Sequence, residues 1–255
     1  MPLVAALTLA LWTSLQAHAS VPIEAGRFAP LFGLDTGQES FPVEAFAIDE
    51  RPVSNSDFAA FAAGAPEWRP ARTPGALADG RYLSHFDGGV APPGLEAAPV
   101  TWVSWFAAEA YCESKGGRLP RTLEWEYVAA ADETRRDASR DPAFADRILK
   151  WYSRPFSPAD LKLPGSPINA WGVRGLHGLV WEWTLDFNGV FVTGDNRQDG
   201  DKQSQFFCGN AATGSARRED YAAFMRYALR SSLSARSTLA NLGFRCAYNR
   251  PGERK

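Results

Sequence analysis

Three glycines and three tryptophans crowd into the segment NAWGVRGLHGLVWEW, residues 169–183. Glycine adopts backbone conformations that are closed to other residues, and large aromatic rings carry burial next to tight turns. The segment therefore predicts irregular chain that crosses a core, rather than one face of a long helix. The whole chain shares this bias, because its 22 glycines and 18 prolines interrupt regular elements while nine tryptophans supply apolar surface. We expect little regular secondary structure.

The first residues resemble a secretory signal. An apolar run at residues 3–12 is followed by Ala17-His18-Ala19, a small-x-small cleavage pattern. This predicts a signal peptide over residues 1–19. An uncleaved membrane anchor is the alternative, but the run is shorter than the roughly 20 residues that cross a bilayer. The stretch before the run lacks the usual lysine or arginine. We expect a periplasmic or secreted protein.

The remaining residues, 20–255, are predicted to form a single domain, since the sequence shows no internal repeat and no linker. The 27 basic and 29 acidic residues nearly balance and form no block of like charge. This argues against nucleic acid as a partner, and against a membrane once the signal is cut. We expect the partner to be an exported protein or a small-molecule substrate.

Local signals place several elements. FPVEAFAI at 41–48 is predicted to be a strand, and Ser54 or Asn55 to cap a short helix. Residues 66–99 read as loop. Ser104 is predicted to cap a helix that ends at the glycines 116–117. Its expected buried stripe comprises Phe106, Ala110 and Tyr111. Further predictions are a helix capped by Thr122, a short helix at 143–149, a strand at 205–208, a helical turn at 220–224 and a last strand from Leu242.

Four segments, in order, resemble the signatures of one family. They are FAIDERPVSNSDFAAF, AEAYCESKGGRLPRTLEWEYVAAA, GLHGLVWEWTLDF and NLGFRCAY. Together they resemble the formylglycine-generating-enzyme, or sulfatase-modifying-factor, family across nearly the whole mature chain. The resemblance implies an α+β fold, the family's variant of the C-type-lectin-like fold, with little regular secondary structure.

Most of the matching side chains suit a scaffold. Trp125, Trp181 and Trp183 are expected in the core. Arg118 is expected to form an internal ion pair with Glu124 or Glu126. A matching scaffold supports the fold and not an activity.

The chain has three cysteines, Cys112, Cys208 and Cys246. An oxidising compartment favours one disulfide and leaves one thiol over. The resemblance implies that Cys112 pairs with Cys246.

The family's copper chemistry needs two cysteines near the C-terminus. The resemblance places Ala222 where the second belongs, and soft Cu(I) needs two thiolates. Cys208 follows a predicted strand, as the first of these cysteines does, but lies too far upstream. It is either a displaced active-site thiol or an ordinary buried cysteine. We take Cys208 as the candidate catalytic residue and leave open whether copper binds.

The resemblance also implies a calcium site. Its ligands here would be Glu182 and the backbone of Gly178 and Val180, but Gly175 stands where the family has an asparagine. The loss of one side-chain ligand weakens the predicted site, although Ca²⁺ accepts water in its place.

A different branch of the family binds iron through histidines. After signal cleavage only His85 and His177 remain, so a three-histidine site is impossible within the chain. A two-histidine, one-carboxylate site would need Asp87 or Glu182. Each lone histidine is more often a surface or hydrogen-bonded residue.

The sequence is compatible with several functions. FCGNAATG and YAAFMRYALRSSL look most like the NirV-type accessory proteins found with copper nitrite reductases. This resemblance implies an accessory or maturation factor for a periplasmic metalloenzyme. The alternatives are a tailoring oxidase of a secreted small molecule, of the pyoverdine-maturation type, a formylglycine generator with a rearranged site, and a pure binding module. An enzymatic role would be that of an oxidoreductase of the formylglycine-generating type with an altered site.

Overall fold

A computed structural model describes residues 19–30, 40–161, 166–188 and 218–250, with side chains described from residue 221 in the last range. Short helices and strands alternate with long irregular segments in these ranges. The α-helices are α1 (Asn55–Gly64), α2 (Trp105–Ser114), α3 (Thr122–Ala129), α4 (Pro142–Tyr152) and α5 (Arg218–Ser232). Two short 3-10 helices cover Pro66–Trp68 and Pro158–Asp160, the first within the segment 66–99 that was predicted to be loop. The strands are β1 (Ser20–Ile23), β2 (Gly26–Phe28), β3 (Phe41–Val43), β4 (Phe46–Asp49), β5 (Trp181–Glu182), β6 (Leu242–Gly243) and β7 (Ala247–Asn249). The mixture of helix and strand with little regular structure agrees with the expected fold class.

The strands form three small sheets. β1, β4 and β7 make an antiparallel sheet with β4 in the centre, so a strand near the end of the chain pairs with one near its beginning. β2 pairs with β3 in an antiparallel ladder, and β5 pairs with β6 in a parallel one. The parallel pair joins Trp181 to Leu242 and thereby brings two of the family signatures side by side.

The prediction of one strand over residues 41–48 is wrong in part. β3 and β4 belong to different sheets, and the chain changes sheet at Glu44 and Ala45. The predicted last strand is also divided, because the backbone carbonyls of Phe244 and Cys246 accept hydrogen bonds from Val53 and Asp49 outside a regular ladder. In both places the chain changes its pairing partner within the segment that was predicted as one strand.

The predicted signal peptide lies almost wholly outside the described residues, since only Ala19 of it is described. A cut after Ala19 would leave the chain starting at Ser20, the first residue of β1, which pairs with Asp49. Among the described residues, none of the helices has the length and apolar character needed to span a bilayer. The signal peptide stays a prediction.

The predicted caps of α1 and α2 are confirmed. The Ser54 hydroxyl accepts from the Asp57 N–H at 3.1 Å, and that of Ser104 accepts from the Ala107 N–H at 3.3 Å. α2 ends at Ser114 and Gly116 follows with φ of 76°, a left-handed conformation that glycine adopts at little cost.

Two details of the helix predictions are wrong. The face of α2 that is buried comprises Ala107, Ala108, Tyr111 and Cys112, whereas Phe106 and Ala110 are half-buried, so the helix is rotated by about one position. Thr122 is the first residue of α3 and not its cap. The Glu124 carboxylate caps this helix by accepting from the Arg121 N–H at 2.7 Å.

The larger core surrounds the disulfide. Cys112 and Cys246 are joined, with a Cα–Cα distance of 5.4 Å, and both are fully buried. The Phe58, Tyr111 and Phe244 rings pack together beside the bond at centroid distances of 5.4–6.1 Å. The structure thus contains the disulfide that the resemblance implies, and closing so long a loop stabilises the fold by about 5 kcal/mol in the chain-entropy model.

Candidate functional site

Ala222, the residue that the resemblance places at the family's second copper cysteine, is part of a helix packing contact. Ala222 lies on α5 and is 3% exposed. It packs with Phe144 and Ile148 of α4 in a small apolar cluster. A cavity of about 20 Å³ beside it has room for about one water molecule. Alanine offers no ligand here, and the neighbouring apolar side chains offer none in its place.

Cys208 and the strand predicted at 205–208 lie outside the described residues. Cys208 stays a prediction as the candidate catalytic residue. The predicted helical turn at 220–224 is part of the longer α5, which begins at Arg218.

A buried charge cluster lies one turn further along α5. The Glu126 carboxylate of α3 accepts from Arg226 at 2.6 Å and from Arg230 at 2.9 Å. Arg226 also donates to the Tyr152 hydroxyl at 3.2 Å, and the Arg230 guanidinium lies 4.6 Å from the centroid of the Trp125 ring. Burial opposes ionisation of Glu126, but the charges and hydrogen bonds of the two arginines outweigh it and lower the pKa of the carboxyl group. The three groups together carry one net positive charge.

A second buried carboxylate, Glu182, is paired differently. Arg245 donates to both of its oxygens at 2.8 Å, and the Trp125 indole N–H donates to one of them, also at 2.8 Å. The remaining guanidinium donors of Arg245 bond to the backbone carbonyls of Asp49 and Arg174. Glu182 and Arg245 have fully buried side chains and form a neutral pair whose hydrogen bonds are satisfied.

This pairing bears on the calcium site predicted at Gly178, Val180 and Glu182. Both Glu182 oxygens already accept from Arg245, so the carboxylate presents no free edge to a cation. Gly178 is exposed and Val180 is buried. This arrangement does not fit a calcium ion, and a calcium site stays a prediction that requires Glu182 to leave Arg245.

The expected internal ion pair of Arg118 is confirmed with Glu124, by two hydrogen bonds of 2.7 Å. Glu126, the other candidate, pairs with Arg226 and Arg230 instead.

His177 is held in one tautomer. Its Nε2 lies 2.9 Å from the Ala129 carbonyl oxygen, which can only accept, so Nε2 carries the proton. The other ring nitrogen, Nδ1, is buried and has no partner among the residues that the structure describes. Burial, and next the charge of Arg226, lower the pKa of His177 to about 3, so that the ring is neutral near pH 7.

His85 also stays neutral near pH 7. Its Nε2 lies 3.0 Å from Asn55 Oδ1, and burial lowers the pKa of the ring to about 4. Within the described ranges, no three His, Cys, Asp or Glu side chains come together in a group that could hold a metal ion. The two-histidine, one-carboxylate arrangement with Asp87 or Glu182 is therefore not formed.

A cleft of about 330 Å³ opens between the end of α4, the loop after it and the turn before β5. The Tyr152 and Trp181 rings stack at a centroid distance of 4.6 Å, and Trp151 lies 5.3 Å from Trp181. The cleft is lined by Trp151, Tyr152, Arg154, Pro155, Phe156, Asp160, Ser166, Pro167, His177, Gly178, Leu179, Trp181 and Asn241.

The sequence did not reveal this cleft. Trp125 and Trp183 are in the core as expected, at 2% and 0% exposure, whereas Trp181 is half-buried and lines the cleft. The adjacent Trp151 and Tyr152, immediately before a polar, proline-containing loop, were the available signal. Two neighbouring aromatic residues at a helix end suggest a surface that serves more than burial.

Comparison with known proteins agrees with the resemblance. The chain matches the family described as sulfatase-modifying factor enzyme 1-like domain over residues 12–250. It is 30% identical to the formylglycine-generating enzyme of Streptomyces coelicolor, over 79% of this chain and 77% of that protein. It is 31% identical to the inactive C-alpha-formylglycine-generating enzyme 2 of Bos taurus, over 61% of this chain and 52% of that protein.

A further relative is much longer than this chain. The chain is 30% identical to the serine/threonine-protein kinase pkn1 of Chlamydia caviae over 66% of its own length, but spans only 27% of that protein. The match over residues 12–250, together with the shared signatures, establishes the family: the chain belongs to the sulfatase-modifying-factor family of formylglycine-generating-enzyme-like domains.

Proposed function

We propose that the protein is an accessory or maturation factor for an exported metalloenzyme, such as a copper nitrite reductase, and does not generate formylglycine. One observation carries the second half of this proposal. Ala222, which the resemblance places at the second copper cysteine, is packed against Phe144 and Ile148 in an apolar helix contact. A soft Cu(I) ion held by two thiolates has no second ligand there.

The relatives are compatible with such a role. The bovine relative is described as inactive, while the Streptomyces relative is a formylglycine-generating enzyme. The same scaffold thus occurs in a relative described as an enzyme and in one described as inactive. The activity of this chain therefore has to be inferred from its site residues and not from its fold. The proposal includes export by the predicted signal peptide, a periplasmic or secreted location, the lectin-like form of the fold, and the thiol of Cys208 as the functional group.

The first test is a search for aldehyde formation. The copper-loaded protein is incubated with a sulfatase-type cysteine peptide, and the peptide mass is measured. The Streptomyces coelicolor enzyme serves as the positive control. We expect no aldehyde from this chain. A mass change of the peptide that requires both copper and the protein would overturn the proposal.

A second candidate function is that of a tailoring oxidase for a secreted small molecule. The cleft of about 330 Å³ favours it, because small-molecule sites have volumes of roughly 300–1,000 Å³. Oxygen consumption that depends on an added small molecule and is lost in Cys208→Ser would support this alternative over the accessory role.

A further inference from the structure

Two cavities border each other along α4. The first is the aromatic cleft of about 330 Å³, and the second is an apolar pocket of about 210 Å³ between α4 and residues 167–178. Both are lined by Trp151, Pro167, His177 and Gly178. The apolar side chains that line only the pocket are Ala131, Phe144, Ile148, Val173 and Leu176. A ligand that fills the cleft therefore has an apolar space beside it into which it can extend.

The polar side chains of the apolar pocket are already satisfied. Glu133 and Arg147 bond to each other through two hydrogen bonds of 2.9 Å. Asp132 accepts from the turn that follows it, and Asn169 bonds to backbone groups. The exception, Nδ1 of His177, is shielded from solvent by the surrounding protein. The pocket therefore suits a group that makes no hydrogen bonds, and apolar cavities of roughly 150 Å³ already hold a benzene ring.

The polar side chains of the aromatic cleft, in contrast, have no partners within the described part of the chain. Arg154 and the indole N–H groups of Trp151 and Trp181 can only donate hydrogen bonds. The Asp160 carboxylate can only accept them, and the Asn241 amide can do both. A hydroxyl group also donates and accepts, so a ligand with several hydroxyls satisfies both kinds of side chain at once.

The cleft favours an uncharged ligand with flat C–H faces. Arg154 and Asp160 supply one charge of each sign, so an ion that is attracted by one is repelled by the other. Tyr152 stacks on Trp181 at a centroid distance of 4.6 Å, and its hydroxyl accepts from Arg226 at 3.2 Å. The aromatic wall is thus fixed before a ligand arrives, and little conformational entropy is lost on binding. A neutral sugar combines hydroxyls with C–H faces that pack on such rings.

We propose that the two cavities together bind a glycoside of an apolar alcohol or phenol. The uncharged sugar lies in the aromatic cleft, and the apolar group attached to it lies in the adjoining pocket. This binding involves neither copper nor Cys208. The glycoside site and the proposed accessory function can therefore be tested, and can fail, separately.

The probes are the phenyl β-glycosides of glucose, galactose and mannose, and their binding to the full chain is measured by calorimetry. Each is compared with its methyl glycoside, which keeps the sugar, and with phenol, which keeps the apolar ring. We expect at least one phenyl glycoside to bind about tenfold or more tightly than its methyl glycoside and than phenol, because only the phenyl glycoside fills both cavities.

Two variants test the two parts of the site. Asn241→Leu keeps the approximate size of the side chain but removes its hydrogen bonds, and should weaken binding of the phenyl glycoside at least about fivefold. Trp151→Ala should weaken it at least about tenfold, because Trp151 lines both cavities. Tyr221→Ala is the matched control, since Tyr221 is an exposed aromatic residue that lines neither cavity. Its affinity should equal that of the unaltered protein.

A thermal melt of each variant checks folding, and Asn241→Leu keeps the test decisive if Trp151→Ala does not fold. Three results would overturn the inference. They are the absence of binding by all three phenyl glycosides at millimolar concentration, equal affinities for a phenyl glycoside and its methyl counterpart, and an unchanged affinity in Asn241→Leu.

Discussion

Two buried carboxylates in this fold are paired with arginine in different ways. Glu182 has one partner, Arg245, and the pair is neutral, fully buried and satisfied by backbone carbonyls. Glu126 has two partners, Arg226 and Arg230, and the group keeps one net positive charge. The first lies beside the disulfide and the central strands, and the second lies beside Ala222 and the aromatic cleft.

The difference predicts unequal losses of stability when an arginine is removed from each group. In a neutral buried pair each charge is balanced by the other. Removal of either partner leaves an unpaired buried charge, which strongly destabilises the fold. A cluster with an extra cation keeps a balanced pair when the surplus arginine is removed.

The largest expected effect is the loss of the neutral pair. Arg245→Met leaves Glu182 buried with only the Trp125 donor, and should lower the free energy of unfolding by about 3–5 kcal/mol. Urea unfolding measures this change. A loss below about 1 kcal/mol would show that Glu182 is not held as a scaffold pair.

Acidification should have the next largest effect, through His177 beside the positive cluster. Its pKa falls from an ordinary value of 6.5 to about 3 in the folded state, so below pH 6.5 the unfolded state binds a proton that the folded state does not. Stability is therefore lost as the pH falls from about 6.5 towards 3, and the loss at pH 5 is about 2 kcal/mol.

The control for this prediction is His177→Gln, whose amide can still donate to the Ala129 carbonyl. Unfolding free energies of both proteins are measured between pH 5 and pH 7. The free energy of unfolding of the variant should depend less steeply on pH, because the proton that His177 binds on unfolding is lost. The contribution of His85 to the pH dependence should remain. Identical pH profiles would contradict the neutral, buried state of His177.

Removal of the surplus arginine should cost less. Arg230→Met leaves Glu126 paired with Arg226, and we expect a loss of no more than about 1 kcal/mol. The measurement is the same urea titration used for Arg245→Met, so the two arginines are compared directly. Equal losses for both substitutions would erase the distinction between the two clusters.

The smallest effect on stability is expected for Cys208→Ser, if its thiol is exposed and functional. The unaltered chain should show one free thiol when it is denatured without reductant, because Cys112 and Cys246 are joined. The variant should show none, with an unchanged melting temperature. A melting temperature that falls, corresponding to about 1–3 kcal/mol, would assign Cys208 to a buried structural position.

Local signals in the sequence predicted local features well. Ser54, Ser104 and Gly116 act through neighbouring backbone groups, so their roles could be read from a few residues. The pairing of Cys112 with Cys246 followed from the resemblance and not from the spacing.

Features that depend on distant contacts were missed. Glu126 and its arginine partners are separated by 100 and 104 positions, and no short pattern joins them. Trp181 belongs to a segment whose composition predicts a buried core. Its ring lines a cleft because Tyr152 at the end of α4, which is distant in sequence, stacks on it. The division of residues 41–48 between two sheets has the same origin, because the pairing partners decide where each strand ends.

The most direct test of the central claim measures the copper content of a client. An exported copper nitrite reductase is produced with and without this protein, purified, and analysed for copper per chain. The proposed function predicts a higher copper content when the protein is present, with the increase lost in Cys208→Ser and retained in Tyr221→Ala. Equal copper content in the presence and absence of the protein would contradict the account.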